Sequence, residues 1–135
     1  MKMSLIKVAV AAITLTLAAA GLASAQERAC RSTDPVDTIK EMFVAIFACW
    51  EPPVGSDGMS MTLTFSIRRD GTLIGKPRTS YSQLGPDDGL NKAFVASVFE
   101  ALDKALPLPL SDSMGGAIAG RMLAPRFTAT RESPT

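Results

Sequence analysis

Few side chains in this sequence have the types and spacing that catalysis or metal binding requires. The 135-residue chain contains no histidine, the most common general base and metal ligand near neutral pH. Asp87 and Asp88 form an acidic pair on a loop before an apolar helix, where carboxylates cap the helix and complement its dipole. The alternative to this capping role is catalysis by the two carboxylates, in a small periplasmic hydrolase. The glycine-rich run 115–120 has no lysine in the position that a phosphate-binding loop needs.

The two cysteines, Cys30 and Cys49, are predicted to form one disulfide, because an exported protein with an even number of cysteines most simply pairs them. A predicted helix of some 15 residues, about 22 Å long, lies between them. The bridge therefore requires a tight return of the chain or a shorter helix. Free thiols and an intermolecular bridge are the alternatives. Two isolated cysteines do not make a zinc ligand set, so the sequence predicts no metal site. Together with the absence of histidine, this leads us to expect no catalytic residue and no cofactor.

The first 25 residues have the pattern of a cleavable signal peptide. Lys2 and Lys7 give a positive start, an apolar stretch follows, and small residues precede the predicted cleavage between Ala25 and Gln26. Cleavage leaves 110 of the 135 residues as one periplasmic domain with no stable membrane anchor. The alternative is an uncleaved membrane helix, since the apolar stretch approaches the length that spans a bilayer.

The charge balance argues against two classes of partner. Removal of Lys2 and Lys7 from the 14 basic residues leaves 12, against 13 acidic residues. Nucleic-acid binding requires a clustered basic surface, and adhesion to anionic lipid also depends on an excess of positive charge. We therefore expect neither partner.

Hydrophobic periodicity predicts two amphipathic helices. The first begins with Asp34 as N-cap and Pro35 in its first turn, and it ends at the Pro52-Pro53 pair. The second ends at Pro107. Their apolar faces contain Val36, Ile39, Phe43, Ile46, Phe47 and Trp50 in the first helix, and Leu90, Phe94, Val98, Leu102 and Ala105 in the second.

Three strands accompany these helices. Residues 59–68 alternate between apolar and hydroxyl side chains, and Asp70-Gly71 predicts a turn into a return strand at 72–81. A last strand is predicted at 121–130. The fold class is therefore α+β, a three-stranded antiparallel sheet covered by two amphipathic helices in the order α-β-β-α-β. The predicted domain spans 34–130, between an N-terminal tail at 26–33 and a frayed tail at 131–135.

The order of three short motifs resembles the C-terminal domain of TolA and TonB-type energy transducers, and it is closer to TolA. Cys49–Pro53 precedes the alternating strand, Arg69–Leu73 forms the turn, and the second helix ends in Leu106–Pro109. The resemblance covers about residues 34–130. It implies a small antiparallel sheet packed against helices, and a periplasmic, non-enzymatic module that binds a protein partner in the cell envelope by strand addition.

By that analogy the docking edge is the last strand, around Arg121, Leu123, Arg126 and Phe127. In the alternative interpretation, Leu123 and Phe127 merely fill the core. TolA and TonB carry an uncleaved anchor and a long segment that transmits force. Here the domain follows a predicted cleavable signal almost directly, so the analogy carries over the fold and a binding role only. A membrane-anchored transducer fragment with an uncleaved N-terminal helix is the second hypothesis.

Overall fold

The computed structural model describes residues 28–130. Its elements follow in the order α1 (Ile39–Phe47), β1 (Ser60–Ile67), β2 (Leu73–Gln83), α2 (Asp88–Ala105), α3 (Asp112–Ile118) and β3 (Arg126–Thr128). The predicted signal peptide at 1–25, its cleavage site between Ala25 and Gln26, and the predicted tail at 131–135 lie outside the described residues.

The three strands form one antiparallel sheet in the order β2-β1-β3, which confirms the predicted α+β fold. β1 is the central strand, and its side chains alternate between the two faces of the sheet as its sequence predicts. One face is apolar and buried: Met61, Leu63, Phe65 and Ile67. The other face is hydroxylic: Ser60, Thr62, Thr64 and Ser66.

The helices complete one hydrophobic core with the apolar face of the sheet. The predicted stripe of α2 is buried: Phe94, Val98, Leu102 and Ala105. Phe127 of β3 is fully buried and meets Phe47 and Trp50 edge-on, with ring centroids 4.9 and 5.2 Å apart. The indole N–H of Trp50 donates to the hydroxyl of Ser97 on α2 at 3.0 Å, so its polar atom is satisfied within the core.

α1 begins later than predicted. Its N-cap is Thr38 and not Asp34, and the Thr38 hydroxyl accepts a hydrogen bond from the N–H of Glu41 at 3.0 Å. The prediction was wrong because the backbone of Val36 bonds elsewhere. Its N–H and C=O pair with the backbone at 109–111, at 2.8 and 2.9 Å. A single long-range bridge has no periodicity, so the sequence gives no sign of it.

The buried face of α1 overlaps the predicted one, since Ile46 is buried and Phe43 and Phe47 pack against the core. Met42, Ala45 and Ile46 are buried, whereas Ile39 is 45% exposed. The later start of α1 places Ile39 in its exposed first turn. Tertiary packing therefore extends the buried surface of α1 to Met42 and Ala45 and leaves Ile39 outside it.

The predicted last strand at 121–130 is interrupted at Pro125. Leu123 exchanges two backbone hydrogen bonds with Phe65, at 2.7 and 3.0 Å. The carbonyl of Pro125 then accepts from the N–H of Leu63 at 3.1 Å, but proline has no N–H with which to return the bond. The missing bond lies on the β1 side, so only the three residues of β3 form regular strand.

The turn between β1 and β2 contacts the covering layer at Gly71. This residue has a φ of +84°, and a Cβ there would lie 2.1 Å from the carbonyl oxygen of Leu108. The N–H of Leu108 donates to the carbonyl of Gly71 at 3.2 Å. Only glycine satisfies both the left-handed conformation and this close approach.

Candidate functional site

Cys30 and Cys49 are joined by a disulfide, as predicted. Their Cα atoms are 4.7 Å apart. The return of the chain is possible because α1 begins only at Ile39, which leaves residues 31–38 to run back along the helix. Cys49 is buried directly after α1 and Cys30 is exposed, so the bridge fastens an outer segment to the end of a core helix.

The acidic pair at the start of α2 has the predicted capping role. The carboxylate of Asp87 accepts a hydrogen bond from the N–H of Leu90 at 2.9 Å, and Asp88 lies in the first turn of the helix. Within residues 28–130, no group of three or more acidic or cysteine side chains could hold a metal ion. None of the helices described over that range is long and apolar enough to cross a membrane.

The four predicted docking residues separate into two pairs. The side chains of Leu123 and Phe127 are buried, with 6% and 0% of their surface exposed, while Arg121 and Arg126 are exposed. Burial alternates from Met122 to Thr130, as it does in a strand with one covered face. A partner can therefore contact the two arginine side chains, but it cannot contact the side chains of Leu123 and Phe127.

The outer edge of β3 presents backbone groups that β1 does not use. Leu123 and Pro125 bond to β1 through the backbone, Ala129 bonds to residues 58 and 59 just before β1, and Met61 pairs with Phe127 in the same register. Since bonding alternates along an antiparallel strand, the intervening N–H and C=O groups point away from β1. These outward groups belong to Ala124, Arg126 and Thr128. Among the described strands, none pairs with this edge.

The opposite edge of the sheet, β2, is longer but interrupted. Its register with β1 shifts twice, and Gly75 has a φ of +68°. Lys76 and Pro77 follow, and both residue types discourage pairing of an edge strand with another chain. The predicted bulged edge strand at 72–81 is thus confirmed as Leu73–Gln83. Of the two edges, β3 is the shorter, and its outward groups are not interrupted by proline.

We use the term open face for nine side chains on the outer face of the sheet, which continue into a further row formed by Ser60 with Gln83 and Thr128. Pairing keeps one register from Phe65–Leu123 to Met61–Phe127, so residues of β3 and the chain before it align with β1 and β2 in three rows. The rows are Met122-Ser66-Ile74, Ala124-Thr64-Arg78 and Arg126-Thr62-Tyr81. The central three are half-buried and the outer six are exposed. The open face contains two arginines and no acidic residue.

Arg126 and Tyr81 contact each other across the central strand. The guanidinium carbon of Arg126 lies 4.3 Å from the centroid of the Tyr81 ring, a cation–π arrangement. The tyrosine ring covers one face of the guanidinium. The N–H groups at the edge of the guanidinium can still donate hydrogen bonds. The sequence interpretation included Arg126 but missed Tyr81, because the register shift between Thr62 and Leu63 decides which residue of β2 faces Thr62.

One titratable group in the turn beside the sheet is perturbed. The side-chain hydroxyl of Thr72 and then its backbone N–H donate to the carboxylate of Asp70, and these bonds lower the pKa of that carboxyl from its ordinary 3.8. Arg68 adds a smaller attraction. Asp70 is exposed and its partners belong to its own turn, so the bonds fix the hairpin.

A protein-family model matches residues 32–131, which include all six elements. The chain belongs to the family described as Uncharacterised conserved protein UCP034077. The UCP034077 match contains both edges of the sheet and the whole open face, whereas Cys30 precedes it. The disulfide thus connects the matched region to the segment before it.

Neither the curated proteins nor the solved structures give a match to the chain. Nothing in the UCP034077 match bears on TolA or TonB, so the resemblance to their C-terminal domain stays a prediction. The α+β fold of this UCP034077 member stands on the structure alone.

Proposed function

We propose that this protein is an exported, non-enzymatic binding module of the cell envelope, which takes up an extended segment of a partner protein beside β3. The observation that carries the proposal is the outer edge of β3. Its outward N–H and C=O groups have no partner strand among the described residues, and Pro125 directs its missing donor inward. Such an edge offers main-chain hydrogen bonds to an added strand.

Two further features support an envelope location. The disulfide between Cys30 and Cys49 is typical of an oxidising compartment. The sequence of residues 1–25 has the pattern of a signal peptide, and the motif order resembles a periplasmic family. With cleavage after Ala25, the proposed role is that of a free-standing binder and not that of a transducer of force. N-terminal sequencing of the exported protein tests this, since a retained N-terminal stretch would contradict it.

The binding edge can be tested with a matched pair of proline variants. Thr128→Pro removes an outward N–H from β3, and Ser82→Pro removes one from β2, because Ser82 stands opposite Met61, whose own bonds face β3. Both residues are exposed and carry a hydroxyl. The comparison therefore separates the two edges while it holds the chemical change nearly constant.

The experiment is affinity capture from envelope extracts under mild crosslinking, with protein produced from the full sequence. We expect the wild type and Ser82→Pro to enrich the same envelope proteins, and Thr128→Pro to lose them by at least about tenfold, since several main-chain bonds depend on that edge. Circular dichroism of each variant verifies that the fold is retained. Equal capture by all three proteins would contradict strand addition at β3.

A further inference from the structure

A strand added beside β3 would extend each row of the open face by one side chain. Its side chains would alternate, and those on the open face would lie beside Met122, Ala124 and Arg126. The chemistry of these three residues therefore sets the sequence pattern that fits. This step rests on the proposed function, because it takes the added strand as given.

The guanidinium of Arg126 favours a carboxylate as its partner on the added strand. Tyr81 holds this guanidinium from one face at 4.3 Å, which leaves the N–H edge available for the paired hydrogen bonds that a carboxylate accepts. The other charge on the open face, that of Arg78, is also positive. Arg126 is the charge beside the added strand, whereas Arg78 lies two strands away, so an acidic side chain opposite Arg126 is attracted mainly by Arg126 and a basic one is repelled by it.

The exposed side chain of Met122 favours an apolar neighbour on the added strand. It is 77% exposed, the most exposed large apolar residue apart from Val54 among the described residues. Ile74 lies in the same row on the far side of Ser66 and is 41% exposed, so the row has apolar side chains at both ends. Ala124 is small and separates this row from Arg126. Burial of Met122 by an apolar neighbour gains hydrophobic free energy that a polar neighbour does not give.

We infer that the partner segment is an extended acidic-apolar strand, with an acidic residue opposite Arg126 and an apolar residue opposite Met122, four positions apart. The spacing follows from the alternation of side chains, since residues i, i+2 and i+4 share a face. Charge complementarity with the open face selects an acidic protein segment over a neutral or basic one.

The test uses a pair of synthetic nine-residue peptides with blocked ends. The acidic probe is Leu-Thr-Ser-Thr-Glu-Thr-Ser-Thr-Leu, which has a Leu four positions from Glu on both sides and so fits a parallel or an antiparallel added strand, and the basic probe replaces its Glu with Lys. Each is titrated into the isotope-labelled full-length protein while the amide NMR signals of Arg126 and Thr128 are followed. We expect the acidic probe to shift both signals and to bind about tenfold more tightly than the basic probe, because attraction is exchanged for repulsion across one strand pair.

Two charge-reversed variants show which arginine causes the preference for the acidic probe. Arg126→Glu should invert the preference between the probes, while Arg78→Glu changes the net charge equally but lies two strands away and should retain it. Arg126→Gln, which removes the charge without reversing it, should abolish the preference.

Several outcomes would overturn the inference. If both probes shift the β3 amides with equal affinity, strand addition stands and the acidic-apolar pattern is wrong. If Arg78→Glu and Arg126→Glu reduce binding equally, the attraction belongs to the whole surface, as for an anionic lipid or polysaccharide. If neither probe shifts the β3 amides, the inference fails, and the proline variants then decide separately whether the proposed function also fails.

Discussion

The two faces of the sheet are built by the same strands yet have opposite environments. On one face the side chains of Met61, Leu63 and Phe65 are buried beneath the helices. On the other, Thr62 and Thr64 stand half-buried between exposed residues of the flanking strands. The covered face packs into the hydrophobic core, whereas the open face holds exposed side chains beside an edge of β3 with which none of the described strands pairs.

Stability and binding are therefore divided between the two faces of the sheet. Consecutive residues such as Arg126 and Phe127 differ completely in burial because side chains alternate along a strand. Substitutions on the covered face should therefore change the free energy of unfolding, whereas those on the open face should change affinity and leave stability almost intact.

The largest expected effect comes from these neighbouring residues. Phe127→Ala removes a fully buried ring that contacts Phe47 and Trp50, and it should lower the free energy of unfolding by about 4 kcal/mol. Arg126→Ala removes an exposed cation–π contact and should cost about 0.5 kcal/mol. Urea denaturation measures both. Similar costs would show that the two faces do not divide stability in this way.

The disulfide should contribute almost as much to the free energy of unfolding as the ring of Phe127 does. Its 19-residue separation predicts a loss of about 3 kcal/mol when the bridge is opened, mainly because the unfolded chain regains entropy. Thermal melts with and without reductant measure the effect. The double variant Cys30→Ser with Cys49→Ser is the control, since reductant should not change its melting temperature. An unchanged melt of the reduced wild type would refute the estimate.

A smaller difference should appear between two glycines in the left-handed region. Gly71 and Gly58 have φ values of +84° and +86°, so alanine meets similar backbone strain at both. At Gly71 the new methyl would also collide with the backbone of Leu108, whereas nothing lies within 4 Å at Gly58. Gly71→Ala should therefore cost about 2 kcal/mol more than Gly58→Ala in chemical denaturation. Equal costs would mean that the turn moves away from the covering layer freely.

The smallest expected effect concerns the exposed turn. Because hydrogen bonds from Thr72 lower the pKa of Asp70, the carboxylate stabilises the fold fully above its ordinary pKa of 3.8, and this stability is lost as pH falls through the lowered value. Thr72→Ala removes the larger cause and should raise the pKa of Asp70, as followed by carboxyl NMR titration. Asp70→Asn should remove this part of the acid dependence. A pKa unchanged by Thr72→Ala would contradict the assignment.

Periodicity predicted most of the fold correctly. The alternation in β1 and the helical stripe of α2 are local patterns, so their burial could be read directly from the sequence. Local periodicity did not indicate the start of α1 or the break at Pro125 in the last strand. Both depend on backbone pairing with distant residues, at 109–111 and in β1, and such pairing has no local signature.

The candidate site was predicted only in part. The sequence indicated the last strand and Arg126, but it gave no reason to join Met122 and Tyr81 to them. These residues come together because a bulge in β2 shifts its register, and because β1 lies between two strands that are far apart in the chain.

Local spacing in the sequence specified β1 with its apolar side and the apolar stripe of α2, and the presence of two cysteines specified the one disulfide that the chain can form within itself. The unpaired edge of β3 among the described strands and the stacking of Arg126 on Tyr81 across Thr62 are visible only in the folded molecule. Strand order and register are relations between distant segments. They are fixed when the whole core packs, and no local pattern specifies them.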